Sequence, residues 1–82
     1  MSQNELNTSI KEIFLLVFPE LNESDFNWEK QQSEYENWDS FAHLRIISEL
    51  EKRFSTTLDL DDVVYITSAT GFLNLMERKS IN

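Results

Sequence analysis

Apolar positions near the start of the chain recur at helical spacing. Leu6, Ile10, Ile13, Phe14 and Val17 fall on one stripe, and Leu15, Leu16 and Phe18 widen it. The pattern predicts a first helix over residues 5–18. Ser2-Gln3-Asn4-Glu5 fits a capping box at its start, with Asn4 as the alternative cap. Pro19 disfavours helical backbone at Phe18 and stops the helix there. Residues 19–37 hold no sustained period. They are rich in Asn, Ser, Glu and Gln, with Leu21, Phe26, Trp28 and Tyr35 scattered among them. This reads as a long loop with a short helical turn near Ser24-Asp25-Phe26. Its aromatic residues suit pins that hold the loop to the core.

The clearest helix runs from Trp38 to Phe54. Leu44, Ile46, Ile47, Leu50 and Phe54 share one wide arc, and Phe41 lies off it. Asp39 suits the N-cap, since its carboxylate can accept from free first-turn N–H groups and faces the positive end of the helix dipole. Ser40 then sits at the mouth of the helix. Ser55-Thr56-Thr57 breaks the pattern. A short third helix follows over Asp59–Val64, capped by Asp59, with Leu60, Val63 and Val64 inward. Ser68 caps a fourth, whose stripe is Ala69, Phe72, Leu73 and Met76, with Gly71 as a weak spot and Arg78 and Lys79 suited to its end. The expected fold is all-α, a single domain over residues 1–82 built as a small antiparallel bundle of three longer helices and one short one.

Composition narrows the function. A domain of 82 residues buries roughly 60–65% of its unfolded surface, which leaves little room for a deep enclosed site. The absence of Cys excludes disulfides, thiol catalysis and thiolate metal sites. With 15 acidic against 7 basic residues the net charge is -8, which repels nucleic acid and anionic membranes and attracts basic protein surfaces. The longest apolar run, Ile13 to Phe18, is far too short to span a membrane, and Met-Ser-Gln-Asn-Glu lacks the positive start of a signal peptide. The expected location is the cytoplasm.

Three stretches carry a resemblance. Trp38-Asp39-Ser40-Phe41-Ala42-His43-Leu44, then Leu50-Glu51-Lys52-Arg53-Phe54, then Ile66-Thr67-Ser68-Ala69-Thr70-Gly71-Phe72-Leu73, together resemble an acyl carrier protein. Residues 5–37 match that family only in pattern, as an amphipathic helix followed by a long loop. The resemblance implies a 4'-phosphopantetheine arm, drawn from coenzyme A, on Ser40 beside Asp39. The arm's thiol holds acyl or aminoacyl groups as thioesters. It further implies a monomer that is not itself an enzyme and is served by a phosphopantetheinyl transferase and by acyl-loading and acyl-transfer enzymes. Phe41, Leu44, Arg45, Ser48, Glu49 and Glu51 of the recognition helix then meet these partners. Ile46, Leu50, Ile66 and Phe72 line the space for the cargo chain. The family motif is commonly Gly-x-Asp-Ser-Leu; Asn37 and Phe41 replace its Gly and Leu, and Ala42 and Arg45 stand where fatty-acid carriers are commonly acidic. These departures imply a specialised biosynthetic pathway. Phe72, where the family often has a small residue, implies short or polar cargo.

The remaining residues have plainer readings. His43, the one histidine, falls on the inward side near Ile46, Ile47 and Leu50 and suits a core-edge residue bonded to loop backbone; a contact with Ser40 one turn earlier is the alternative. Asp59, Asp61 and Asp62 lack the spacing of a calcium loop and read as helix-start acids. Glu49 and Glu51 read as exposed. The competing function is an unmodified acidic helical module that binds a basic protein.

Overall fold

The computed structural model describes residues 2–80. Those residues form four α-helices and no strand: α1 (Gln3–Val17), α2 (Ser40–Phe54), α3 (Leu60–Val63) and α4 (Ala69–Ser80). α1 starts two residues before the expected point because Ser2 is the cap. Its hydroxyl oxygen accepts from the Glu5 N–H at 3.2 Å, and its O–H donates to the Glu5 carboxylate at 3.1 Å; the carboxylate thus meets the Ser2 hydroxyl in place of the backbone N–H that a full capping box uses. The helix ends at Val17, just ahead of Pro19, and packs against both α2 and α4.

The core is centred on Phe14. Its ring meets Phe18, Phe26, Tyr35, Trp38 and Phe72, with centroids 5.4–6.2 Å apart. Such tilted and edge-on pairs each add about 0.5–1.5 kcal/mol beyond the area they bury. Leu6, Ile10, Ile13, Val17, Ile46, Ile47, Leu50, Leu58, Val63, Ala69, Leu75 and Met76 complete the buried set.

The long loop is pinned as its aromatics suggest. Tyr35 is buried, and Phe26 and Trp28 pack edge-on with centroids 5.0 Å apart. Polar bonds add to this. The Gln32 N–H donates to Thr67 O at 2.6 Å, the Thr70 N–H to Trp28 O at 3.2 Å, and Asn37 Nδ2 to Glu20 at 2.6 Å. The expected helical turn forms at Glu23–Asp25. A second 3-10 turn, Gln32–Glu34, was not expected; it closes through the Gln31 N–H donating to the Glu34 carboxylate at 2.9 Å.

Several expected facings need correction. Leu44 sits on the apolar arc of α2, yet it is more than half exposed, because the partners of α2 cover the flank that carries Ile46, Ile47 and Leu50. α3 runs only from Leu60 to Val63. Val63 points inward as expected, but Leu60 and Val64 are exposed, and the Asp59 side chain makes no cap bond. Leu58 and Leu75, left out of the expected core, are buried. Gly71, by contrast, has a packing reason. A Cβ there would lie 2.7 Å from Ile66 Cγ2, so α4 and the Ile66 side chain approach more closely than Ala allows.

Candidate functional site

Ser40 is the first residue of α2, and its side chain is exposed. Asp39 behind it has extended backbone, and its Oδ1 accepts from the Ala42 N–H at 2.9 Å. The His43 N–H takes Asp39 O at 3.0 Å. The N–H groups of Ser40 and Phe41 have no intrahelical acceptor by position, so the mouth of α2 presents an exposed hydroxyl beside donors at the positive end of a 15-residue helix.

A polar chain sets this helix start in the core. The Nε1–H of buried Trp38 donates to His43 Nδ1 at 3.0 Å. With Nδ1 an acceptor, the imidazole is neutral and carries its proton on Nε2, which donates to Val63 O at 2.8 Å. The ring also lies nearly parallel to Trp38, with centroids 5.9 Å apart, and against Phe72 at 5.6 Å. His43 is therefore the backbone-bonded core-edge residue of the sequence reading. It joins the residue two before Ser40 to the end of α3, and both ring nitrogens are committed to other groups, so it is not the base of a Ser40-His43 pair. Upstream, Gln32 Nε2 donates to Trp38 O at 3.1 Å and ties the loop to the same start.

Along α2 from this mouth lie the recognition residues implied by the resemblance. Phe41 is 84% exposed; Leu44, Arg45 and Ser48 are exposed too. Glu49 and Glu51 depart from expectation. Both are half-buried, with Glu49 3.3 Å from Lys52 and the Glu51 carboxylate accepting from the Leu58 N–H at 2.8 Å. Glu51 thus anchors the connection from α2 to α3. Sequence reading missed Leu60, Val64 and Tyr65, whose exposed side chains add apolar surface on the element that His43 grips through Val63. Their exposure left no period to find, because a four-residue helix is barely one turn.

The four residues proposed to line a cargo space are packed together in the core. Ile46, Leu50 and Phe72 are fully buried, Ile66 is half-buried against Gly71, and the Phe72 ring fills the volume beside Phe14, Trp38 and His43. Asp59, Asp61 and Asp62 are exposed, and among the described residues no group of three or more His, Asp or Glu is gathered as a metal site. No described helix is long and apolar enough to cross a membrane. Compared with known proteins, the chain matches no family model, no curated protein and no solved structure.

Proposed function

We propose that the chain is a carrier protein bearing 4'-phosphopantetheine on Ser40, with its helices arranged as the antiparallel bundle of that family. The single observation that carries the reading is the exposed Ser40 hydroxyl on the first turn of a helix whose start is fixed twice, by the Asp39 cap and by the Trp38–His43–Val63 chain. The residues fit the group. A phosphate on Ser40 Oγ would sit at the positive end of α2, beside N–H groups with no helical acceptor. In attachment, Ser40 Oγ forms a bond to the pantetheine phosphorus of coenzyme A, the pyrophosphate link breaks, 3',5'-ADP leaves and the hydroxyl proton is released. The arm then supplies a thiol, which this Cys-free chain lacks, to hold acyl or aminoacyl groups.

The chain's own part is presentation. Phe41 and Leu44 offer apolar contact within a turn or so of Ser40, Leu60, Val64 and Tyr65 add exposed apolar surface on the stretch joined to α2 through His43 and Val63, and the net charge of -8 favours partners with basic rims. The core-filling Phe72 ring favours short or polar cargo that stays outside the fold. The test is intact mass after incubation with coenzyme A, magnesium and a broad-specificity phosphopantetheinyl transferase. One phosphopantetheine should add, and peptide mapping should place it on Ser40. Ser40→Ala should abolish the adduct while keeping stability within about 0.5 kcal/mol, as for an exposed position. The same exposed apolar side chains also favour the second reading, an unmodified acidic module that docks on a basic protein. A wild type left unmodified by a competent transferase would give that reading precedence, and an adduct on another serine would overturn the assignment to Ser40.

A further inference from the structure

We propose, resting on the carrier reading above, that the open cavity beside Trp38 is a docking site in which this chain receives the amide-bearing arm of Ser40. The cavity measures about 460 Å³ and is lined by Gln31, Gln32, Ser33, Tyr35, Trp38 and Thr67. That volume falls within the roughly 300–1,000 Å³ usual for small-molecule sites. None of its six lining residues carries a charge, although charged residues make up 27% of the chain. A neutral wall of carboxamides, hydroxyls and aromatic edges suits a neutral ligand of amides and hydroxyls, which is the chemistry of a pantetheine chain.

Position favours the same ligand. Trp38 lies two residues before Ser40, so their Cα atoms are at most about 7 Å apart. A second cavity, of about 450 Å³, lies at Arg53, Phe54, Ser55 and Lys79. Arg53 is 13 residues along α2 from Ser40, about 20 Å at 1.5 Å per residue. A third, of about 520 Å³, is rimmed by Glu20, Asp25, Glu34 and Glu36 against the one cation Lys30, so its net negative charge opposes a phosphate-linked chain. The acidic cavity also comes near Ser40, at Asn37, so it is the uncharged lining that singles out the cavity beside Trp38.

Its walls also hold unused bonding capacity. Tyr35 lines this cavity and the acidic one alike, and its hydroxyl is buried without a hydrogen-bond partner; an arm amide would reach it from the neutral side. Gln31 Oε1 accepts from the Thr67 hydroxyl at 2.8 Å and Gln32 Nε2 donates to Trp38 O, which holds both carboxamides in place. Gln31 Nε2 also donates to Glu29 O at 3.3 Å, which leaves each carboxamide one amide N–H to offer a ligand.

The test is NMR on isotope-labelled protein carrying an unlabelled arm, after intact mass has confirmed the adduct. Relative to the unmodified protein, the side-chain amide signals of Gln31 and Gln32 and the Trp38 indole N–H should shift. Isotope-filtered NOEs should join the arm's amide protons to the Tyr35 and Trp38 rings. Tyr35→Phe removes a hydroxyl with no partner in the fold, so the variant keeps its structure; its arm-induced shifts at Gln31 and Gln32 should fall by half or more. An adduct seen by mass, with shifts and NOEs confined to residues 39–44, would overturn the docking site alone. Shifts unchanged in Tyr35→Phe would overturn the hydroxyl's part in it. Failure to form any adduct would overturn the carrier reading, and the docking site with it.

Discussion

Replacing His43 by Ala removes two hydrogen bonds and two ring contacts at the start of α2. The bonds join His43 to the Trp38 indole at 3.0 Å and to Val63 O at 2.8 Å. Leaving a buried donor or acceptor unpaired costs about 1–3 kcal/mol each. His43 is half-buried, so water can enter the vacated space and the lower end applies, about 2 kcal/mol for the pair. The lost contacts with Trp38 and Phe72 add up to about 1–2 kcal/mol. The expected loss is therefore about 2–4 kcal/mol, which at roughly 4–8 °C per kcal/mol for a domain of this size lowers Tm by about 8–32 °C. Urea titration followed by tryptophan fluorescence measures the loss, and a thermal melt gives the shift. His43→Phe separates the contributions, since it keeps a ring and drops both bonds; it should lose about 2 kcal/mol. A His43→Ala loss below about 1 kcal/mol, or a His43→Phe variant as stable as wild type, would refute the claim that this polar chain fixes the helix start.

Three further substitutions follow from local geometry. Ser55 ends α2 with φ 50° and ψ 49°, a left-handed conformation that costs a residue with a Cβ about 1–2 kcal/mol, so Ser55→Gly should raise stability by about 0.5–1 kcal/mol in a urea titration despite the freer unfolded chain. Gly71→Ala places a methyl 2.7 Å from Ile66 Cγ2; although Ala is the better helix former, the substitution should lower stability by about 1–3 kcal/mol, and Ile66→Leu in the same chain, which has no Cγ2, should recover part of it. Burial, then the neighbouring Glu34 charge, raise the Tyr35 hydroxyl above its ordinary pKa of 10.0. Above that pH the unfolded tyrosine ionises while the folded one stays neutral, so the fold loses stability as pH rises; Tyr35→Phe should equal or exceed the wild type at pH 7 and lose less in the alkaline limb of a Tm-against-pH curve.

The parts of the fold set by neighbours in sequence were readable before any coordinates. The caps of Ser2, Asp39 and Ser68 each act three residues ahead, and all three hold: Ser68 Oγ accepts from the Gly71 N–H at 3.2 Å as the others do from theirs. The α1 stripe is buried because two helices cover it. Leu44 shows the limit. An apolar arc gives a direction, but its edge is buried only if another element reaches it, and that depends on contacts far along the chain. The turn at Gln32–Glu34 was hidden because its cap is Gln31, which lies outside the usual Ser, Thr, Asp and Asn set. The environment of Gly71 was equally hidden. Composition reports only the helical cost of glycine, whereas the close approach belongs to Ile66.

Ser40 was legible as a candidate because its cues, a preceding Asp and a following amphipathic run, are adjacent. What holds it in place was not, since His43 and Val63 are twenty residues apart and their bond uses a backbone oxygen that carries no residue identity. This division has a consequence for variants. Surface changes at Phe41, Leu44 or Tyr65 alter what a partner meets without touching the support, because those side chains are exposed. Changes at Trp38, His43 or Phe72 alter the support first, because those rings share one packed cluster with Phe14. Under the proposed carrier function, a variant that loses modification at Ser40 separates by stability: with the fold intact it points to lost partner contact, and with the fold weakened it points to a displaced helix start.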